Sequence, residues 1–145
     1  MWSTISSPDD FDHFTAAGHA LAALFDTYRP FPDLAVNGRQ TLSENIADVA
    51  GLSAAWDAYH AVSRRHPIPV WHGFTADQQF FVSFGQVWRT KIRDEALRRR
   101  IATDGHAPDE YRADTVRNLD AWYDAFAITP GQRLYLAPKD RVRVW

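Results

Sequence analysis

The sequence has no cysteine, no long apolar run and no excess of charge of one sign. Without cysteine, disulfides and thiolate metal sites are excluded, and the redox compartment goes unmarked. No stretch approaches the roughly 20 apolar residues that a membrane-spanning helix requires. The opening Met1-Trp2-Ser3-Thr4-Ile5-Ser6 has neither the basic start nor the apolar stretch of a signal peptide. The chain as it stands is therefore expected in the cytoplasm; as a fragment of a longer secreted or anchored protein it would lie outside. A net charge of −2 offers no electrostatic case for nucleic acid or for an anionic membrane. Internal repeats and low-complexity tracts are absent, and so is any His-Glu-x-x-His motif.

What is present suits one domain spanning 1–145. Hydrophobic residues make up 46% and charged residues 23%, ordinary globular usage. A chain of this size buries close to 70% of its unfolded surface. Aromatics reach 14%, with 6 Trp and 9 Phe, so large rings should dominate the packing.

The pattern is mainly α. Ser7-Pro8-Asp9-Asp10 supplies an N-cap, a first-turn proline and two acids. Phe11, Phe14, Leu21, Leu24, Phe25 and Tyr28 then recur at near-helical spacing, so a helix to about Tyr28 is expected. Pro30 and Pro32 stop it, and Asn37-Gly38 signals a turn. Thr41-Leu42-Ser43-Glu44 reads as a capping box opening a second helix. Its apolar side carries Leu42, Ile46, Val49, Trp56 and Tyr59, and it ends before Pro67. Thr75-Ala76-Asp77-Gln78 repeats the box ahead of a stripe of Phe80, Phe81, Phe84, Val87 and Trp88. The charged stretch 89–100 reads as a continuation of that helix, with Arg98-Arg99-Arg100 as a solvated face. Asp104-Gly105-His106-Ala107-Pro108 is a turn, 118–126 one more helix, and Val142-Arg143-Val144 a short edge strand.

Glu44 and Asp48 are four apart and so share one helix face. One such carboxylate can bind a metal while the other orients a neighbouring ligand. The plainer alternative makes Glu44 the capping-box partner and Asp48 a solvated first-turn acid. His13 and His19 are six apart, as are His60, His66 and His72. Six residues turn a helix by about 600°, which scatters these rings over different faces. A catalytic zinc takes three protein ligands and an open position, and the histidines do not assemble one. His106 lies six residues before Arg112, and an imidazole beside a guanidinium suits an oxyanion and a peptide carbonyl. The plainer alternative is a surface turn with a solvated arginine. No serine sits in a nucleophile elbow.

Four blocks in order carry a family resemblance. Glu44-Asn45-Ile46-Ala47-Asp48, preceded by Val36-Asn37-Gly38, resembles the E-N-x-x-D segment of the neprilysin and endothelin-converting-enzyme family of zinc metallopeptidases. The block from Phe80-Phe81 to Val87-Trp88-Arg89 is similar to that family's aromatic helix. His106-Ala107-Pro108 with Arg112 resembles its His-x-Pro-x-x-x-Arg block, and 138–145 its C-terminus. The similarity runs from about Trp2 to Trp145.

The resemblance implies the helical C-terminal portion of a gluzincin-type catalytic domain. It implies Glu44 as the third zinc ligand and Asp48 as the residue orienting a zinc-binding histidine. His106 would stabilise the oxyanion, Arg112 would grip a substrate backbone carbonyl, and Trp88 would line an apolar specificity pocket. Trp88 also reads as a plain core aromatic. The family's His-Glu-x-x-His precedes the segment matching Trp2-Ser3-Thr4, and Ser43 and Ala50 stand where glycine is usual. The expectation is a zinc-peptidase segment that binds no zinc and cleaves no peptide alone. Its expected partners are a peptide substrate once completed, and an upstream fragment or a second copy covering apolar surface around Ile46 and Val49. The alternative is a non-catalytic peptide-binding or interaction domain using His106, Arg112 and Trp88.

Overall fold

The computed structural model describes residues 7–144, which fold into α1 (Pro8–Phe25), α2 (Leu42–Ser63), α3 (Ala76–Val87), α4 (Asp94–Thr103), α5 (Asp109–Ala113) and α6 (Asp120–Phe126). Short 3-10 turns at Asp114–Asn118 and Pro138–Asp140 complete the order. The mainly α reading holds. Isolated bridges at Phe31–Leu34 and Trp71–Phe74 are the β pairing recorded among the described residues.

α1 starts as the sequence indicates. Ser7 Oγ accepts the Asp10 N–H at 3.2 Å, and Asp10 Oδ2 accepts the Ser7 N–H at 2.8 Å. It stops at Phe25, short of Tyr28, because Asp26 turns outward and accepts the Gly38 N–H at 2.7 Å. Tyr28 is thereby released to stack on Tyr111, with ring centroids 4.4 Å apart. Gly38 is required by this close approach: a Cβ there would lie 1.9 Å from the Ala22 carbonyl oxygen.

The capping box expected at Thr41 does not form. Thr41 is buried, donates to the Asn37 carbonyl at 3.1 Å and accepts from Asn45 Nδ2 at 2.8 Å. Its hydroxyl is committed to the interior, so Glu44 is free to face elsewhere. The second box does form, with Thr75 Oγ1 taking the Gln78 N–H at 3.3 Å and Gln78 Oε1 the Thr75 N–H at 3.0 Å.

α3 ends at Val87 and α4 begins only at Asp94, so the single helix expected through 89–100 is two helices. The break lets Trp88 turn under the Arg112 guanidinium, 4.2 Å from its ring centroid, and Asp94 and Glu95 restart the helix as first-turn acids. The arginines of α4 are not a uniformly solvated face. Arg98 forks onto Asp33 at 2.9 Å and lies over the Phe31 ring, and Arg100 pairs with Asp109 at 2.8 Å. Arg99 alone of the three has only a loose pair, 3.6 Å from Glu95.

Two apolar clusters meet on α2. One holds Leu21, Phe25, Val36, Val49, Val142 and Val144, and the other Leu52, Phe81, Leu119, Trp122 and Tyr123. The expected exposure around Ile46 and Val49 is not found. Val49 is 2% exposed, and Ile46 is half-buried because Gly18 of α1 lets its side chain and that of Leu42 come close. Solvent instead meets the small residues Ala47, Gly51, Ala54, Ala55 and Ala58. The expected edge strand at 142–144 does not pair either. The Val142 N–H donates to Asn118 Oδ1 at 2.9 Å, and both valines are buried. No described helix is long and apolar enough to cross a membrane.

Candidate functional site

Three segments converge at the N-terminal end of α2. The first turn of α2 carries Glu44, and Asp48 stands one turn later on the same face. The turn between α4 and α5 carries His106, and α5 carries Arg112. Trp88 enters from the break after α3. All five residues singled out in the sequence therefore share one cluster.

Arg112 is its centre. Nε and Nη2 each donate to an Asp48 carboxylate oxygen at 2.7 Å, a two-pronged pair that matches the planar fork of the guanidinium. The two side chains are 14% and 10% exposed, so the pair is largely shielded from water. Asp48's hydrogen bonds raise the Arg112 pKa further above its usual value, against the opposing effect of burial, and the Glu44 and Asp109 charges add to the rise. Trp88 supplies an aromatic face to the same guanidinium. The indole N–H of Trp88 is buried and has no acceptor among the described residues.

His106 sits between two carboxylates. Its Nδ1 is 2.7 Å from Asp104 Oδ1 and its Nε2 is 3.2 Å from Glu44 Oε2. The Asp104 oxygen also accepts the His106 backbone N–H at 2.9 Å. These contacts, the side-chain hydrogen bond first, hold the Asp104 carboxyl below the usual carboxylate range, with the Arg100 charge contributing. Glu44 stands 3.9 Å from Arg112 Nη2 and remains 39% exposed. The rim thus offers one open carboxylate, one imidazole and one guanidinium side by side. Beside it, a groove of about 350 Å³ runs between α2 and α3, lined by Ala47, Asp48, Gly51, Phe80, Phe84 and Val87.

Sequence reasoning missed Asp104. The available signal was an aspartate two residues before a histidine in a glycine turn, where an Asx-type side chain reaches its own backbone two residues on.

The chemistry of the donors decides how far these residues fit a zinc centre. Among the described residues no three His, Asp, Glu or Cys side chains group so as to hold a metal ion. Glu44 fits as one carboxylate ligand, exposed and on the rim, and a catalytic zinc takes three protein ligands.

The family model of Peptidase family M13 matches residues 3–142. The chain belongs to peptidase family M13. Among curated M13 relatives, it is 32% identical over 139 residues to Neprilysin-3 of Drosophila melanogaster, covering 92% of this chain and 17% of that protein. It is 36% identical over 115 residues to human endothelin-converting enzyme-like 1, covering 77% of this chain and 14% of that protein. Its fold superposes with a TM-score of 0.91 and 39% identity on the zinc metalloprotease Zmp1 of Mycobacterium tuberculosis in complex with an inhibitor, covering 97% of this chain and 22% of that one. The chain therefore spans about a sixth of the length of the curated M13 relatives it matches.

Proposed function

We propose that this chain forms the C-terminal wall of a neprilysin-like zinc metalloendopeptidase site, and that by itself it neither holds zinc nor hydrolyses peptides. The observation that supports the reading is the clustering of Glu44, Asp48, His106 and Arg112 on one rim beside an apolar groove. Glu44 would be a zinc ligand, and bound zinc would supply an activated water and polarise the scissile carbonyl.

The other roles belong to the chain's own groups. His106, held at Nδ1 by Asp104, would direct its Nε2 proton to the oxyanion that forms when the peptide carbonyl is attacked. Nε2 lies 3.2 Å from Glu44 Oε2, which sets this edge of the imidazole on the rim. Arg112 uses Nε and Nη2 on Asp48, so Nη1 is the nitrogen with no acceptor among the described residues and is the one offered to a substrate backbone carbonyl. The groove lined by Phe84 and Val87, next to Trp88, would take an apolar side chain. Asp48 would serve two masters, fixing Arg112 and orienting a zinc-binding histidine from outside this chain.

The absence of His-Glu-x-x-His from the sequence removes two zinc ligands and the general base that activates water. Metal analysis of the purified chain should find far less than one zinc per molecule, and a fluorogenic peptide should stay intact. Addition of a fragment carrying His-Glu-x-x-His should produce zinc retention that Glu44→Gln abolishes. Stoichiometric zinc with chelator-sensitive turnover by the chain alone would overturn the proposal. Zinc-independent peptide binding that requires Arg112 and Trp88 would favour the non-catalytic reading.

A further inference from the structure

The turn that carries His106 is held at both ends by one side chain that the active-site reading does not use. The turn leaves α4 at Asp104 and enters α5 at Asp109. Arg100, in the last turn of α4, reaches both: Nη2 lies 2.8 Å from Asp109 Oδ1 and Nε lies 3.4 Å from Asp104 Oδ2. Arg100 is 27% exposed and Asp109 11%, so this is a half-buried pair whose charges water screens only in part.

The geometry restricts what each group can do. The Arg100 Nε is buried and makes no well-directed hydrogen bond, so the Asp104 carboxylate is its nearest acceptor. Removing that carboxylate would take the nearest acceptor from Nε and leave the guanidinium held by Asp109 alone. Asp104 in turn uses its other oxygen, Oδ1, on both the ring and the backbone N–H of His106. One carboxylate thus links guanidinium on one side to imidazole on the other. Asp109 is secured independently: burial acts to raise its pKa, but hydrogen bonds from Thr90 and Arg100 hold it below its ordinary value. Gln40 adds a third anchor, donating through Nε2 to the Asp104 carbonyl at 2.7 Å.

We infer that Arg100 is a positioning residue, a clamp across the turn 104–109 that sets the direction in which the His106 imidazole points. This deepens the proposed active site and rests on it for its functional meaning. A planar guanidinium presents two N–H edges in fixed relation, so it spaces the two carboxylates as no lysine can. If Arg100 is lost, the turn keeps its Gln40 anchor at Asp104 and its Thr90 hydrogen bond at Asp109, but nothing fixes the spacing of the two carboxylates, and the His106 ring gains freedom.

The experiment uses the chain as it is, with neither zinc nor peptide, so its outcome is separate from whether the chain takes part in peptide hydrolysis. Nitrogen-15 spectra of the His106 ring and hydrogen exchange at its amide are compared at one pH for the wild type, Arg100→Gln, Arg100→Lys, Asp104→Asn and Arg98→Gln. Arg98 is the control, since it sits on the same helix but pairs with Asp33 and does not touch the turn. Both the Arg100→Gln and the Asp104→Asn proteins should show displaced and broadened ring signals, with the larger displacement in Asp104→Asn, whose carboxylate touches the ring directly. Their His106 amide should exchange about tenfold faster, the opening of a local element and not of the whole fold. Arg100→Lys should fall between, and Arg98→Gln should leave the ring signals in place even where it lowers the melting temperature. Wild-type ring signals in Arg100→Gln would overturn the inference. So would an equal displacement in Arg98→Gln, since that would reduce Arg100 to general support of α4.

Discussion

The two sides of α2 are packed by different means. Against α1 the core is dense and closed: Leu21 is 0% exposed, Phe25 1% and Val49 2%, and Val142 and Val144 seal it from the far end of the chain. Against α3 and α6 the core is aromatic and open. Trp56 stacks on Phe81 with centroids 5.0 Å apart and Phe84 meets Trp88 edge-on at 6.1 Å, while Trp56, Phe80, Phe84 and Phe126 stay only partly buried. Rings can hold one another through edge and face contacts while still leaving surface uncovered, which aliphatic side chains do less well. The closed side holds α2 in place, and the open side leaves a groove running to Asp48.

This difference can be broken most forcefully at Gly38. Its missing Cβ would strike the Ala22 backbone, so Gly38→Ala should cost more than about 4 kcal/mol and shift urea unfolding accordingly, or prevent folding. Next comes a pair of truncations. Phe25→Ala on the closed side should cost about 3–5 kcal/mol. Phe84→Ala on the open side should cost about 1–2 kcal/mol, since part of its surface already meets water. Equal costs would remove the distinction between the two sides. Asp48→Ala should cost about 3 kcal/mol, because it strands the Arg112 guanidinium in a largely buried position.

The last expected effect depends on pH. Burial, only partly offset by the Arg117 charge, pushes the Asp114 carboxyl up to about 6. The ordinary unfolded value is about 4, so between these values the folded chain binds more protons than the unfolded one. Stability contributed by this group therefore rises as pH falls from about 6 toward 4, and its ionised form is a liability at neutral pH. Asp114→Asn should flatten that part of the stability profile and raise the unfolding free energy from urea titration at pH 7 by at most about 2–3 kcal/mol. An unchanged profile would show that Asp114 is solvated like an ordinary surface acid.

Local signals were legible where one stretch of chain decides the outcome. Ser7 with Asp10 and Thr75 with Gln78 cap their helices because donor and acceptor lie three residues apart, whatever packs nearby. Thr41 with Glu44 has the same spacing and fails, since Asn45 and the Asn37 carbonyl compete for the threonine hydroxyl in the interior. The break at 88–93 was hidden for a similar reason: the residue that draws Trp88 out of helix is Arg112, which is remote in sequence. Spacing paired Glu44 with Asp48 and His106 with Arg112 but left a plainer alternative open for each; the resemblance gave them their roles and brought in Trp88.

By itself the sequence determined the helical class, most helix starts, the lack of disulfides and spanning helices, and, through its ordered blocks, membership of the M13 family. These depend on short-range periodicity or on matching residues in order. Tertiary structure alone decided that Asp48 locks Arg112, that Asp104 and Arg100 hold the turn of His106, and that α1 covers Ile46 and Val49. A charged or apolar side chain takes the partner that the fold brings within a few ångströms, and no periodicity along the chain encodes that distance.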